Sequence, residues 1–173
     1  VHGQREALVA LGRKLGYDVD GDWRHPQGRV LVFLGDLVDR GPDSLGTAEL
    51  VHRLVRGRRA LCLMGNHEYN LVSHARGLTG PKSSNRPTIE DIRRRPARWA
   101  PLLDFFAGLP VALDLGVLRL VHAVWHTRHL SRVSAALAPG PLDGGPRDPV
   151  RRLEEAIVLR SPFDGAGLVP GLP

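Results

Sequence analysis

The stretch VLVFLGDLVDRG, residues 30–41, joins an apolar run directly to two aspartates and an arginine. A short and nearly continuous apolar run is typical of a strand that is buried on both faces. A glycine ends the run, and Asp36, Asp39 and Arg40 follow where the strand meets its loop. Loops at the carboxyl ends of buried strands are where α/β proteins build their sites, so these charges indicate chemistry.

A second apolar run of the same kind, RALCLMGN at 59–66, follows the first, RVLVFLGD at 29–36. The segment between them, residues 43–57, has helical spacing and closes on a glycine. Strand, helix and strand at this spacing predict a βαβ unit with parallel strands and a right-handed crossover. Residues 4–15 predict an amphipathic helix before it, so the predicted fold class is α/β.

The pattern downstream of the βαβ unit changes. Residues 79–87 predict a surface loop that leads through a basic stretch to one or two helices, the clearest at 100–109. Residues 111–123 predict a strand, a tight turn and an antiparallel strand. Near the end, residues 150–160 predict a helix between the turn-rich segments 138–149 and 161–173.

Length and composition predict a single domain, because 173 residues with 42% hydrophobic side chains can bury one core. The domain spans residues 1–173, and we expect its segment 77–101, a loop and a basic helical stretch, to lie over the site. Neither a bilayer-spanning run of roughly 20 apolar residues nor a signal-peptide pattern is found. With a single cysteine, Cys62, the sequence predicts a cytoplasmic protein and no membrane partner.

The formal net charge of +6 is compatible with an anionic partner such as nucleic acid. Arginine makes up 22 of the 24 basic residues, a bias that codon usage alone can produce. We therefore do not favour nucleic acid as the partner, and we interpret the run Arg93–Arg95 as a solvated face.

Three apolar runs each end in a side chain that can bind a metal ion: Asp36, Asn66 and His122. The carboxyl ends of strands gather at one sheet edge, so these residues can converge. Carboxylate, amide and imidazole ligands suit Mn²⁺, Fe or Zn²⁺, and an aspartate can bridge two ions about 4 Å apart. We predict that Asp36 is this bridge.

The remaining polar residues of the two loops fit phosphate chemistry. Arg40 can bind phosphate oxygens through its forked donors, and Asp39 can orient the ring of His67. Two metal ions lower the pKa of a bound water to give an attacking hydroxide, and a protonated His67 can assist the leaving oxygen. The predicted catalytic residues are therefore His67, Asp39 and Arg40, with Arg40, Asn66 and His67 on the substrate phosphate.

The motifs GDLVDRG at 35–41 and GNHE at 65–68 resemble those of the calcineurin-like metallophosphoesterases. The similarity is to the phosphoprotein phosphatase branch, which includes diadenosine tetraphosphate hydrolases. VHG at 1–3 and LVHA at 120–123 extend the resemblance over Val1–Trp125. It implies an α/β/β/α sandwich and two divalent ions, Mn²⁺ first. It also implies a substrate that is either a phosphorylated protein (phosphoserine or phosphothreonine) or a nucleoside polyphosphate.

The resemblance also implies roles for single residues. His2 becomes a ligand of the first metal ion, and Glu68 has a supporting role outside the ligand set. The full set of metal ligands that it implies is His2, Asp36, Asn66 and His122.

Two parts of the family pattern are missing from the sequence: an aspartate before VHG and a Gly-His-Thr motif after VHAVWH. We therefore expect an incomplete sandwich, truncated at both ends. His126 and His129 are interpreted as solvent-facing rather than as replacement ligands. Two alternatives stay open, a basic nucleic-acid-binding module with a vestigial metal site and an inactive fragment of the enzyme.

Overall fold

A computed structural model describes residues 1–114, 118–128, 130 and 157–159. This part of the chain is mixed α/β, as the sequence predicts, with helices in front of, between and after short strands. In chain order the elements are α1 (Arg5–Lys14), β1 (Leu31–Phe33), α2 (Ser44–Arg56), β2 (Ala60–Cys62), α3 (Asn66–Ala75), α4 (Arg86–Arg94), α5 (Pro96–Ala107), β3 (Ala112–Asp114), β4 (Arg119–Val121) and β5 (Ile157–Leu159).

The predicted βαβ unit is present. Strands β1 and β2 pair in parallel, with Leu31 opposite Ala60 and Phe33 opposite Cys62, and α2 connects them. Each strand is only 3 residues long, shorter than its apolar run. The backbone N–H of Leu63 still donates to the carbonyl of Phe33 at 2.8 Å, but both chains then turn into the loops that carry the polar motifs.

The sequence of α2 explains where this helix begins and ends and which face it buries. The Asp43 carboxylate caps its start by accepting from the N–H of Gly46 at 2.7 Å, and Gly57 ends it. Its apolar residues recur every three or four positions and form one buried face, which packs on β2 and α5. The buried residues of this face include Leu45, Ala48, Val51 and Leu54.

Helix α3 was not predicted from the sequence. Its first residues, NHE, were interpreted as part of a motif, and no Ser, Thr, Asp or Asn precedes them as a cap. The side chain of Glu68 supplies the missing acceptor by bonding the N–H of Gly65 at 3.1 Å. The predicted loop and helices after residue 78 are present as a 3-10 turn (Ser83–Asn85), α4 and α5. Pro96 separates the two helices, since proline favours the first turn of a helix and disrupts its interior.

A second sheet lies beyond α5. Strand β3 is its centre and pairs antiparallel with β4 and β5. This confirms the antiparallel strands predicted within 111–123, although residues 115–117 between them lie outside the described part. The N–H of Met64 donates to the carbonyl of Pro110 at 2.8 Å and links this region to the loop after β2.

The helix predicted at 150–160 is wrong at residues 157–159, which form β5. Ile-Val-Leu is an apolar and mostly β-branched triplet, and the open edge of β3 offers it backbone partners that outweigh weak helical periodicity. The rest of that predicted helix, and the predicted turn-rich segments 138–149 and 161–173, lie outside the described residues.

The side chain of Cys62 is buried in the core, as its apolar surroundings predict, and this burial raises the pKa of its thiol well above the ordinary value. It therefore behaves as a small core residue. Among the helices described, none has the length and apolar character that crossing a bilayer requires.

Replacing the N-cap of α2 tests how this helix is held. We expect Asp43→Ala to lower the free energy of unfolding by about 1 kcal/mol, because the N–H of Gly46 loses its acceptor. Asp43→Asn keeps an acceptor oxygen and should cost only a few tenths. Urea unfolding followed by circular dichroism measures both, and equal losses in the two variants would contradict the capping role.

Candidate metal centre and active site

The carboxylate of Asp36 lies between two imidazole rings. Its Oδ2 is 3.4 Å from Nε2 of His2, and its Oδ1 is 3.4 Å from Nε2 of His122. The same nitrogen of His122 is 3.1 Å from Oδ1 of Asn66. The fold thus brings together all four residues that the sequence proposes as metal ligands, although they come from three loops and the N-terminal segment.

The outer nitrogens of both histidines face backbone carbonyls. Nδ1 of His2 lies 3.2 Å from the carbonyl of Val38, and Nδ1 of His122 lies 2.6 Å from that of Leu34. A carbonyl only accepts, so each Nδ1 carries a proton, and in the neutral tautomer that metal ligation requires each Nε2 turns its lone pair inward. In that tautomer each lone pair faces an oxygen of Asp36, and a metal ion bound between them makes the contact favourable.

The donor set therefore fits divalent metal ions. A carboxylate with one imidazole on each oxygen is suited to bridging two ions, and outward hydrogen bonds from the rings fix the tautomer that ligation needs. Nε2 of His122 and Oδ1 of Asn66 also lie 3.1 Å apart, and an ion bound to both atoms would offset the repulsion between two acceptors. These contacts support the ligand set by chemistry, while the role of each residue remains a proposal.

The N-terminal segment is held beside the first motif by backbone contacts. The N–H groups of His2 and Gly3 donate to the carbonyls of Asp36 and Leu37, each at 2.7 Å. A Cβ at Gly41 would lie 2.2 Å from the carbonyl oxygen of His2, so the approach requires glycine there. His2 is consequently fixed at the site through its main chain rather than left as a frayed end.

The loops after β1 and β2 meet at two glycines. A Cβ added to Gly35 would lie 2.3 Å from the backbone nitrogen of Gly65. One added to Gly65 would lie 2.3 Å from the nitrogen of Asp36 and 2.4 Å from its Oδ1. The glycines of GDLVDRG and GNHE therefore let two loops approach closely enough for Asp36 and Asn66 to share one centre.

Glu68 ties these two loops together and is wholly buried. Its Oε2 accepts from the N–H groups of Asp36 at 2.8 Å and Gly65 at 3.1 Å, and its Oε1 accepts from that of Leu37 at 2.8 Å. Burial raises the pKa of this carboxyl, against the lowering effect of the N–H groups. The supporting role that the resemblance implies for Glu68 thus has a physical form, a clamp on the backbone of the bridging aspartate.

Asp39 and His67 form a buried pair next to the proposed ligands. Nδ1 of His67 donates to Oδ2 of Asp39 at 2.6 Å, and both side chains are almost fully enclosed. The rings of His67 and His2 meet edge to face with their centroids 4.9 Å apart. Donor atoms of His2, Asp36 and His67 all lie within 4.8 Å of one another, and because Nδ1 of His67 is bonded to Asp39, its Nε2 is the nitrogen left for the centre.

Several site residues have left-handed backbones, which side chains other than glycine seldom adopt. The φ angles are 50° at His2, 53° at Asp36, 67° at Asp39 and 62° at Arg40. Such conformations cost of order 1 kcal/mol or more each and persist only where neighbouring contacts impose them. No sequence pattern reveals this strain, because it depends on where the loops are pinned.

Arg40 is exposed and lies beside an open cleft of about 400 Å³ that also reaches Asp39. Helix α4 and the residue after it also line the cleft, through Thr88, Asp91, Arg94 and Arg95. Sequence reasoning missed Asn85 and Thr88, which contact Asp39, because nothing in the sequence links them to it. Of the histidines set aside, His126 is exposed as expected, and His129 lies outside the described residues.

A βαβ unit with histidine, aspartate and asparagine gathered at its strand ends defines a metal-binding phosphoesterase class of site. The family model for calcineurin-like phosphoesterase matches residues 1–135. The chain belongs to this family, whose members depend on metal ions, and the resemblance predicted from the motifs is confirmed.

Curated relatives carry related names. The chain is 50% identical over 141 residues to a bis(5'-nucleosyl)-tetraphosphatase PrpE (asymmetrical) of Geobacillus sp. strain WCH70, covering 76% of this chain and 58% of the relative. It is 40% identical over 98 residues to a symmetrical bis(5'-nucleosyl)-tetraphosphatase of Ralstonia nicotianae, covering 57% of this chain and 34% of the relative. The chain thus spans little more than half the length of the Geobacillus protein and about a third of the Ralstonia protein.

Removing the Glu68 clamp should destabilise the protein strongly. We expect Glu68→Ala to cost at least about 3 kcal/mol of unfolding free energy, because three backbone N–H groups lose their acceptor in a buried site. Glu68→Gln keeps one acceptor oxygen and should cost less. Urea unfolding of the two variants measures this, and a cost below about 1 kcal/mol for Glu68→Ala would contradict the clamp.

Proposed function

We propose that this chain carries the dinuclear metal centre of a phosphoesterase that hydrolyses nucleoside polyphosphates. The observation that supports it most is the Asp36 carboxylate, flanked at 3.4 Å on each oxygen by an inward-facing imidazole nitrogen. A structural ion pair would not need two such imidazoles. A bridging ligand between two ions does, so the geometry favours a dinuclear site over an ion-pair network.

The proposed ligands are His2 and Asp36 for one ion, and Asp36, Asn66 and His122 for the other. We propose Mn²⁺ as the natural ion, with Fe or Zn²⁺ as alternatives compatible with mixed oxygen and nitrogen ligands. When bound, the ions would lower the pKa of water and offset the charge of the phosphoryl oxygens.

The remaining residues act on the substrate. Nε2 of His67 faces the centre while its Nδ1 is held by Asp39, so the ring can carry a proton toward the leaving oxygen. Asp39 keeps the ring in place. Arg40 offers forked donors from the rim of the cleft, where it can bind non-bridging phosphoryl oxygens.

The cleft favours a polyphosphate over a simple phosphomonoester. Its lining includes Arg40, Arg94 and Arg95, and it reaches the proposed centre through Asp39, the partner of His67. Its carboxylates are already occupied, since Asp43 caps α2 and Asp91 accepts from Nε of Arg95 at 2.8 Å. Burial works to raise the pKa of Asp91, but the hydrogen bonds from Arg95 and Trp99 prevail and lower it, so the carboxylate stays ionised and paired.

Arg40 and Arg94 are then the cations most available to a second anionic group in the cleft. Arg94 lies 3.6 Å from Glu90, and both side chains are exposed, so this ion pair is weak and easily exchanged for phosphate. Phosphates beyond the scissile bond could reach Arg94, whereas a phosphomonoester bound at Arg40 could not. The names of the relatives, both tetraphosphatases, support the same substrate class.

Nucleic-acid binding with a vestigial metal site is the weaker alternative. A binding surface has no use for a buried Asp39–His67 pair whose free ring nitrogen faces a ligand cluster. Salt-dependent affinity for DNA or RNA without any metal-dependent turnover would favour that alternative.

Mutation of the bridging residue tests the centre itself. We expect Asp36→Asn to abolish binding of the second equivalent of Mn²⁺, and to reduce hydrolysis at least about a hundredfold, because a neutral amide bridges two cations poorly. His122→Ala should weaken metal binding as well, and His74→Ala, which removes a half-buried histidine outside the proposed centre, is the matched control. Isothermal titration measures binding and aryl phosphate hydrolysis measures activity.

The metal titration should be made on this chain and on one extended by Gly-Asp before Val1, the residues that the family motif places there. If Asp36→Asn leaves Mn²⁺ binding unchanged in either form of the chain, the proposed centre is overturned, whatever the activity.

The polyphosphate assignment is tested separately. We expect Arg94→Ala to raise KM for diadenosine tetraphosphate about tenfold, the equivalent of about 1.4 kcal/mol for a charge-assisted contact, and to leave KM for an aryl phosphate unchanged. Arg93→Ala removes a neighbouring arginine that does not line the cleft and serves as the control. Equal effects of Arg94→Ala on both substrates would argue for a phosphomonoesterase.

A further inference from the structure

The first turn of α4 and the turn before it place two buried side chains on Asp39. Oγ1 of Thr88 donates a hydrogen bond to Oδ1 of Asp39, and Nδ2 of Asn85 donates one to Oδ2. Thr88 is 2% exposed and Asn85 is 1% exposed. Oδ2 also accepts from Nδ1 of His67 at 2.6 Å, so both oxygens of this carboxylate are bound, and all three donors are protein side chains.

This arrangement fixes the plane of the carboxylate. The torsion that rotates an aspartate carboxylate is broad, so a bond to His67 alone would leave the group free to turn about its axis. Thr88 on one oxygen and Asn85 on the other remove that rotation. The bond from the imidazole can then be short only in one orientation of the ring, the one that points its Nε2 toward the proposed ligands.

Asn85 contacts both members of the pair. Besides its bond to Asp39, its Nδ2 lies 3.4 Å from the backbone carbonyl of His67. The main chain of Asp39 is pinned as well, because its N–H donates to Oγ of Ser44 at 2.8 Å. Oγ1 of Thr88 is 3.5 Å from the same hydroxyl oxygen, so the side chain and the left-handed backbone of Asp39 are held by one polar cluster.

We propose that Asn85 and Thr88 are positioning residues that set the orientation of His67 through Asp39. The inference rests on the proposed function, since orienting the ring matters only if His67 gives a proton to the leaving group. It assigns the turn at Ser83–Asn85 and helix α4 a part in the chemistry, although both are remote in sequence from the two motifs. Neither residue touches the substrate in this proposal, so they act only through the Asp39–His67 pair.

The hydrogen bonds of Asn85 and Thr88 are not explained by a need to attach α4 to the rest of the protein. The helix has a separate attachment, because Ile89 is buried in the core and Nε1 of Trp99 donates to Asp91 at 2.8 Å. A purely structural threonine or asparagine at these positions could bond any backbone group. Both instead direct their donors to one carboxylate, the one that holds the ring of His67.

The first test observes the His67–Asp39 hydrogen bond directly and does not depend on turnover. The chain, labelled with ¹⁵N-histidine and loaded with diamagnetic Zn²⁺, should show a slowly exchanging Nδ1–H resonance that His67→Gln removes. We expect Thr88→Val, which keeps the shape but not the donor, to broaden this resonance or speed its exchange at least about tenfold. Thr88→Ser should restore it, and Thr79→Val, on an exposed loop residue, should leave it unchanged.

The second test uses the leaving group. Protonation matters more for phenol than for the better leaving group 4-nitrophenol, so a misplaced acid should slow the two phosphates unequally. We expect Thr88→Val and Asn85→Leu to lower kcat for phenyl phosphate at least about tenfold, and several-fold less for 4-nitrophenyl phosphate, with little change in KM. Thr88→Ser should recover most of the loss on phenyl phosphate.

The outcomes separate the two proposals. If the wild-type chain turns over neither these phosphates nor diadenosine tetraphosphate, the proposed function fails, and the resonance alone decides whether Asn85 and Thr88 orient the pair. An Nδ1–H resonance that is identical in wild type, Thr88→Val and Asn85→Leu would overturn the inference. Equal slowing of both phosphates with unchanged KM would also overturn it, because a general loss of folded protein acts on every substrate alike.

Discussion

The inward-facing imidazoles on either side of Asp36 are the constraint on which the rest of this site depends. His2 and His122 each direct Nδ1 to a backbone carbonyl, and each therefore turns Nε2 toward the Asp36 carboxylate at 3.4 Å. Positive charge, on the rings or on ions bound between them and the carboxylate, makes this arrangement favourable. The loops must hold these groups rigidly for the contacts to persist.

That rigidity is supplied by buried polar contacts rather than by long strands. Glu68 bonds three backbone N–H groups from two loops, and Gly35 and Gly65 allow those loops to approach to distances that a Cβ would prevent. The left-handed backbones of Asp36 and Asp39 are strained in isolation. The hydrogen bonds that surround them offset this strain, which explains how strands of only 3 residues can carry a well-defined site.

Helix α4 connects the site to the proposed substrate cleft. Its buried side chains reach Asp39, while its exposed arginines line the cleft. Thr88, in the first turn of this helix, is 2% exposed and is more deeply buried than the apolar Ile89 beside it, at 6%. A helix that both contacts the Asp39–His67 pair and borders the proposed substrate cleft can affect binding and chemistry together, which a separate surface element could not.

The sequence by itself determined the βαβ unit, the helix α2 with its caps, and the identity of every proposed ligand, because each follows from local periodicity or from a motif that one loop carries whole. It did not determine α3, whose cap comes from its own Glu68, or β5, whose triplet became a strand only because β3 offers an open edge. Asn85 and Thr88 were beyond its reach for the same reason as β5. Their partner Asp39 lies 46 and 49 residues away, and contacts between distant segments depend on how whole layers pack, which no local pattern encodes.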